Sequence, residues 1–148
     1  MKFQKGFTLV EILIAIGIFL VLAALSLGIG VDTVRRATVA SERTLLVEIL
    51  ERARSRAMNN IGEVPHGVVV TSTDFVLFRG AVYSPSDASN EVSERAANIT
   101  VSGPTDPVLV RFAQLSGAVD PSEAGDIVLS NGEQTAIVGI NTAGRIDW

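Results

Sequence analysis

From Ile12 to Val31 no position is charged, and Ile, Leu, Val, Ala and Phe fill most of the run. In a helix such a run rises about 30 Å, the thickness of one hydrocarbon core. The apolar region of a cleaved secretory signal holds only about 7–15 residues. The spacing therefore predicts a membrane-spanning helix, with cleavage at the small-x-small triplet Ala24-Leu25-Ser26 as the other reading. Past Val31 the pattern changes. Val31, Val34, Thr38, Leu45, Leu46, Ile49, Leu50, Ala53 and Ala57 recur at three- and four-residue steps, which predicts an amphipathic helix. Asp32 can pair with Arg35 or Arg36, and Glu48 with Arg52, in the favourable acid-first order. No proline precedes Pro65, so one helix is predicted from Thr8 to Met58, stopped by Asn59-Asn60-Ile61-Gly62.

After Gly62 the period shortens to that of strands. Gly67–Thr73 and Phe75–Arg79 read as a hairpin around Ser72-Thr73-Asp74. Tyr83 to Ala97 is rich in Ser, Pro, Asp, Asn and Glu and reads as a long exposed loop. Asn98–Ser102 and Val108–Ala113 are predicted strands, separated by Gly103-Pro104-Thr105-Asp106-Pro107. Asp126–Ser130 and Thr135–Asn141 form a second hairpin across Asn131-Gly132, and Arg145–Trp148 a last short strand. The expected fold class is α+β: a long N-terminal helix packed on a small antiparallel β head of about seven strands, with one flat face covering the helix. The expected organisation is residues 1–6 as leader, 7–31 as transmembrane helix, 32–60 as amphipathic helix and 61–148 as the head. Trp148 is expected to pack on the sheet core, with contact to a neighbour as the alternative.

Charge sharpens this division. Lys2 and Lys5 flank the apolar run, so the positive-inside rule keeps that end cytoplasmic and places everything after Val31 outside. Residues 32–58 carry six Arg against four acids, and residues 59–148 four Arg against eleven acids. An acidic head disfavours general nucleic-acid binding, because phosphates repel it. The absence of cysteine from all 148 residues excludes disulfides, thiolate metal sites and thiol nucleophiles. His66 is the only histidine, which excludes a His-rich metal centre, and following Pro65 it reads as a loop or strand-edge residue. The head carboxylates lack the spacing of a calcium loop, and no nucleophile, base and oxyanion donor are signalled together. No cofactor or metal is expected, and no enzymatic activity.

One residue does not fit a plain anchor. Glu11 stands at the lip of the apolar run, where an unpaired carboxylate is costly inside a bilayer. It lies either in the headgroup layer or beside a positive partner. The stretch Lys5-Gly6-Phe7-Thr8-Leu9-Val10-Glu11, with its short basic leader and following apolar run, resembles the signal of type IV pilins and pseudopilins. The resemblance implies cleavage after Gly6 by prepilin peptidase and N-methylation of the new N-terminal Phe7. It further implies that Glu11 offsets the α-amino charge of a neighbouring subunit during assembly. Opposite charges in low dielectric attract strongly, which agrees with such a role. Prepilin peptidase, other pilin or pseudopilin subunits, the inner-membrane assembly platform and membrane lipid are the partners it implies. Gly17, Gly28 and Gly30 interrupt the helix and suit close helix packing. Major pilins often carry proline where this chain has Gly28, and their helix unwinds nearby.

The second half carries a looser resemblance. Leu50-Glu51-Arg52-Ala53-Arg54-Ser55-Arg56-Ala57, the His66-Gly67-Val68 strand entry, Phe112–Gly117 and the Gly139–Ile146 stretch resemble the GspH/FimT pseudopilin family. That family implies a helix packed against two β-sheets and a minor subunit of a type II secretion pseudopilus or type IV pilus. Some pilus members bind DNA through an Arg-rich tail. This chain ends Gly144-Arg145-Ile146-Asp147-Trp148, with one Arg and one Asp, which argues against DNA as a partner. The Arg52, Arg54 and Arg56 cluster reads as a solvated, ion-paired helix face. A DNA-binding minor pilin for DNA uptake and a membrane-anchored exported β domain of another activity are the remaining alternatives.

Overall fold

The computed structural model describes the backbone of residues 8–148 and the side chains of residues 8–21 and 38–148. Helix α1 runs Leu9–Met58. Eight strands follow: β1 His66–Val70, β2 Asp74–Arg79, β3 Glu91–Glu94, β4 Thr100–Ser102, β5 Leu109–Phe112, β6 Gly125–Ser130, β7 Thr135–Ile140 and β8 Ile146–Asp147. The fold is α+β. The chain divides into two units, Met1–Arg36 and Ala37–Trp148.

In the second unit the strands form two antiparallel sheets, ordered β3-β2-β1-β5 and β4-β6-β7-β8. This replaces the single flat face expected from the strand pattern. The helix and the inner faces of both sheets share one core. Leu46, Leu50, Ala53 and Ala57 of α1 meet Val68, Phe75, Val110 and Phe112 of the first sheet and Ile127, Leu129 and Val138 of the second. Each large apolar side chain so buried contributes roughly 1.5–3 kcal/mol. The predicted helix stripe is confirmed at Leu46, Ile49, Leu50, Ala53 and Ala57 and extends to Val39 and Val47. Glu42 lies buried on this face, where its Oε1 accepts the Ala96 N–H at 3.0 Å. The Asp32 pairings lie outside the described side chains.

The helix stops where the sequence turns polar. Asn60 (φ 56°) and Gly62 (φ 70°) adopt left-handed backbone, which Asn and Gly tolerate best. Both predicted hairpins form. Thr71 Oγ1 accepts the Asp74 N–H at 2.9 Å in the first, and Ser130 pairs with Thr135 in the second. The stretch 83–97 departs from the expected loop, because Glu91–Glu94 pairs with β2 as an edge strand. The preceding segment folds back over the outer face of the first sheet. There Val69, Val76 and Phe78 are buried beneath it, and Tyr83 meets Phe78 edge-on at 5.5 Å. That second, smaller core is why all five residues of β1 are buried.

The far edge of the first sheet is closed by side chains. Thr105 Oγ1 accepts the outward Leu109 N–H at 2.8 Å, and Glu123 Oε2 accepts the Arg111 N–H at 2.8 Å. The Arg111 guanidinium meets the other Glu123 oxygen at 3.0 Å. Glu123 is buried, so this ion pair and backbone bond satisfy a carboxylate that would otherwise be costly. Trp148 does not cap the core. It is 62% exposed, since β8 ends at Asp147 and the last residue has no strand to lie on.

Candidate functional site: the N-terminal motif

Gly6 and Phe7, the expected cleavage and methylation positions, lie outside the described residues. Thr8 and Glu11 are described, and they form a reciprocal helix cap. Glu11 Oε2 accepts both the Thr8 backbone N–H and the Thr8 hydroxyl at 3.0 Å, while the Glu11 N–H donates to Thr8 Oγ1 at 3.2 Å. This is the capping box, in which a Ser or Thr and an acid three residues later each satisfy an amide that the helix leaves open. A carboxylate in the first turn also faces the positive end of the helix dipole. Reading the motif for its charge alone misses Thr8, although the Thr-x-x-Glu spacing signals the cap.

The site is otherwise apolar. Leu9, Val10, Leu13, Ile14, Ile18 and Phe19 are exposed on all sides of the helix, with Phe19 at 78%. A helix that is apolar all round needs lipid or protein around it. Among the described residues no helix is long and apolar enough to cross a membrane. The predicted span extends through residues 22–31, whose side chains lie outside the described set. At Gly17 an added Cβ would meet nothing, so the surface there is open to close approach.

In the head, the segments that carry the looser family resemblance meet in space. Leu50, Ala53 and Ala57 sit in the core with no exposed surface. The Ala57 carbonyl accepts the Leu115 N–H at 2.9 Å, and Gln114 reaches Asn60 at 2.5 Å. Gly144 (φ 73°) packs so tightly that a Cβ would overlap the Gly117 carbonyl oxygen. These are packing positions rather than a chemical centre.

Two of the four helix arginines with described side chains, Arg52 and Arg56, are ion-paired. Arg52 meets Glu48 at 2.6 Å, and Glu91 of β3 bridges Arg52 at 3.5 Å and Arg56 at 2.6 Å. These bonds hold the Glu91 carboxyl below its usual range, through Arg56 first. Arg145 pairs with Asp147 at 2.7 Å. A cleft of about 550 Å³ opens beside Arg95. That guanidinium donates to the carbonyls of Thr71 and Ile99 and stacks over Phe75, so it locks a turn. His66 is the first residue of β1, at the strand end where the sequence places it, and it is buried there because β1 is a central strand. Its Nδ1 has no hydrogen-bond partner.

The model of the prokaryotic N-terminal methylation motif matches residues 1–27. No curated protein and no solved structure matches the chain. The N-terminal stretch thus carries a type IV prepilin-like motif, the mark of a subunit that prepilin peptidase processes and that assembles with other pilins.

Proposed function

We propose that this protein is a minor, pilin-like structural subunit of the GspH/FimT class, serving a type II secretion pseudopilus or a type IV pilus, and that it is not an enzyme. It is inserted in the cytoplasmic membrane as a single pass, with its N-terminus inside and its head in the periplasm. Cleavage after Gly6 leaves Phe7 to be methylated. The helix then leaves lipid for the core of a filament, and Glu11 meets the amine of a neighbouring Phe7.

The observation that carries the reading is the methylation-motif match over residues 1–27, ending in a helix whose first turn holds a lone carboxylate amid apolar side chains. The two-sheet head on a helix agrees with the architecture the GspH/FimT resemblance implies. Pairing of Arg145 with Asp147, and of Arg52 and Arg56 with Glu91, leaves less free positive charge for DNA. The test is the N-terminal peptide and intact mass of the protein from native membranes, with and without prepilin peptidase. A methylated N-terminus at Phe7 that depends on the peptidase supports the reading. An intact leader, or a cut near Ser26, overturns it.

A further inference from the structure

We infer that Asn131 is a site of covalent self-modification, a deamidation promoted by the hydrogen bonds that the β6–β7 turn makes around Asn131 and Gly132. The reaction needs three things: a nucleophilic backbone nitrogen at the next residue, a polarised side-chain carbonyl, and an amide nitrogen free to leave. Gly132 supplies the nitrogen. It has no side chain, lies at φ 88°, and has open space around it. Its N–H donates to Ser130 Oγ at 3.1 Å, which draws the proton away from nitrogen. The Asn131 Oδ1 accepts two backbone N–H groups, from Glu133 at 3.1 Å and Gln134 at 2.8 Å. Two donors on one carbonyl oxygen stabilise the negative charge that builds there when the carbon is attacked. The Asn131 Nδ2 is buried and has no hydrogen-bond partner.

The step balances without an oxidant or reductant. A bond forms between Gly132 N and Asn131 Cγ, and the Cγ–Nδ2 bond breaks. The amide nitrogen leaves as ammonia with the proton lost by Gly132, and a cyclic imide remains. Water then opens the ring at either carbonyl, giving aspartate or isoaspartate at position 131. Other asparagines are placed differently. Asn59 Nδ2 is held by the Ser55 carbonyl at 2.8 Å, and Asn90 Nδ2 by the Ser84 carbonyl at 2.8 Å. Asn141 is followed by the β-branched Thr142. Conversion adds negative charge to an acidic head. The isoaspartate product also inserts a methylene into the backbone beside the Ser130–Thr135 pair.

The test incubates the purified full chain in detergent at mildly alkaline pH and follows each asparagine peptide by mass, separating aspartate from isoaspartate. Asn131 is expected to convert several-fold faster than Asn59, Asn90, Asn98 and Asn141, and faster in the folded chain than in a peptide spanning 126–141. Ser130→Ala removes one hydrogen bond to the nucleophile and is expected to slow conversion about fivefold. Its circular dichroism serves as the control for an unchanged fold. The inference is overturned if Asn131 persists while another asparagine converts, if the free peptide reacts as fast as the folded chain, or if Ser130→Ala leaves the rate unchanged.

Discussion

His66 illustrates what a single buried group does to the energetics of the head. Burial is the main influence and lowers its pKa from the ordinary 6.5. Arg56 on α1 and Arg79 on β2 push the same way, while the Val64 carbonyl and Glu91 on β3 oppose them. The unfolded chain therefore binds a proton more readily than the folded one. Stability is full above pH 6.5 and falls as pH drops from there toward the lowered folded value. His66→Gln is expected to flatten that slope in chemical denaturation between pH 7 and pH 5. It leaves the separate acid limb, below the ordinary Glu value of 4.5, where protonation of Glu91 loosens its ties to Arg56 and Arg52. An unchanged slope in the variant would remove His66 from this account.

At the scale of elements, the junction between the end of α1 and the two sheets is set by close approach. Gly144→Ala meets both a left-handed φ and the Gly117 carbonyl oxygen, so one of two turns has to move. Left-handed backbone alone costs about 1–2 kcal/mol, and the clash brings the expected loss to about 2–4 kcal/mol, measured as a drop in thermal midpoint. Elements also divide by how much of them the chain spells out. The helix stripe of Leu46, Ile49, Leu50 and Ala53 and both hairpins are legible in the sequence, because periodicity and turn chemistry are local. Strand β3 is not. Glu91-Val92-Ser93-Glu94 sends no apolar face to the main core and joins the sheet through backbone pairing and the ties of Glu91 to the helix. The burial of Glu42 and Glu123 is equally hidden, since each carboxylate accepts a backbone N–H from a segment it does not adjoin in sequence, and the second Glu42 oxygen is buried without a partner. The unalternating Gly67-Val68-Val69-Val70 run signals a strand covered on both faces, which the fold of residues 81–90 explains.

For the whole molecule the decisive residue is Glu11. In the single chain its carboxylate is occupied by Thr8, a local arrangement that any isolated helix can make. In an assembled filament the proposed partner is the amine of a neighbouring Phe7, a full opposite charge. Glu11→Ala is therefore expected to leave cleavage and methylation at wild-type levels while reducing incorporation into filaments several-fold, scored by sheared-filament recovery. Incorporation at the wild-type level would count against the assembly role. The motif is legible from the residues alone, because a charge beside a long apolar run is conspicuous. The cap that holds Glu11 is signalled by the Thr-x-x-Glu spacing, and the positions of the Thr8 atoms show it formed.

The closed outer edge of β5 bears on how such a chain avoids growing the wrong way. A subunit concentrated at a membrane and lined up with its copies is at risk of zipping together through exposed strands. On the β5 side that route is shut, because Thr105 and Glu123 occupy the outward amides of Leu109 and Arg111. An incoming strand would have to displace a buried carboxylate before it gained a bond. Polymer growth by ribbon extension is thereby discouraged at this border.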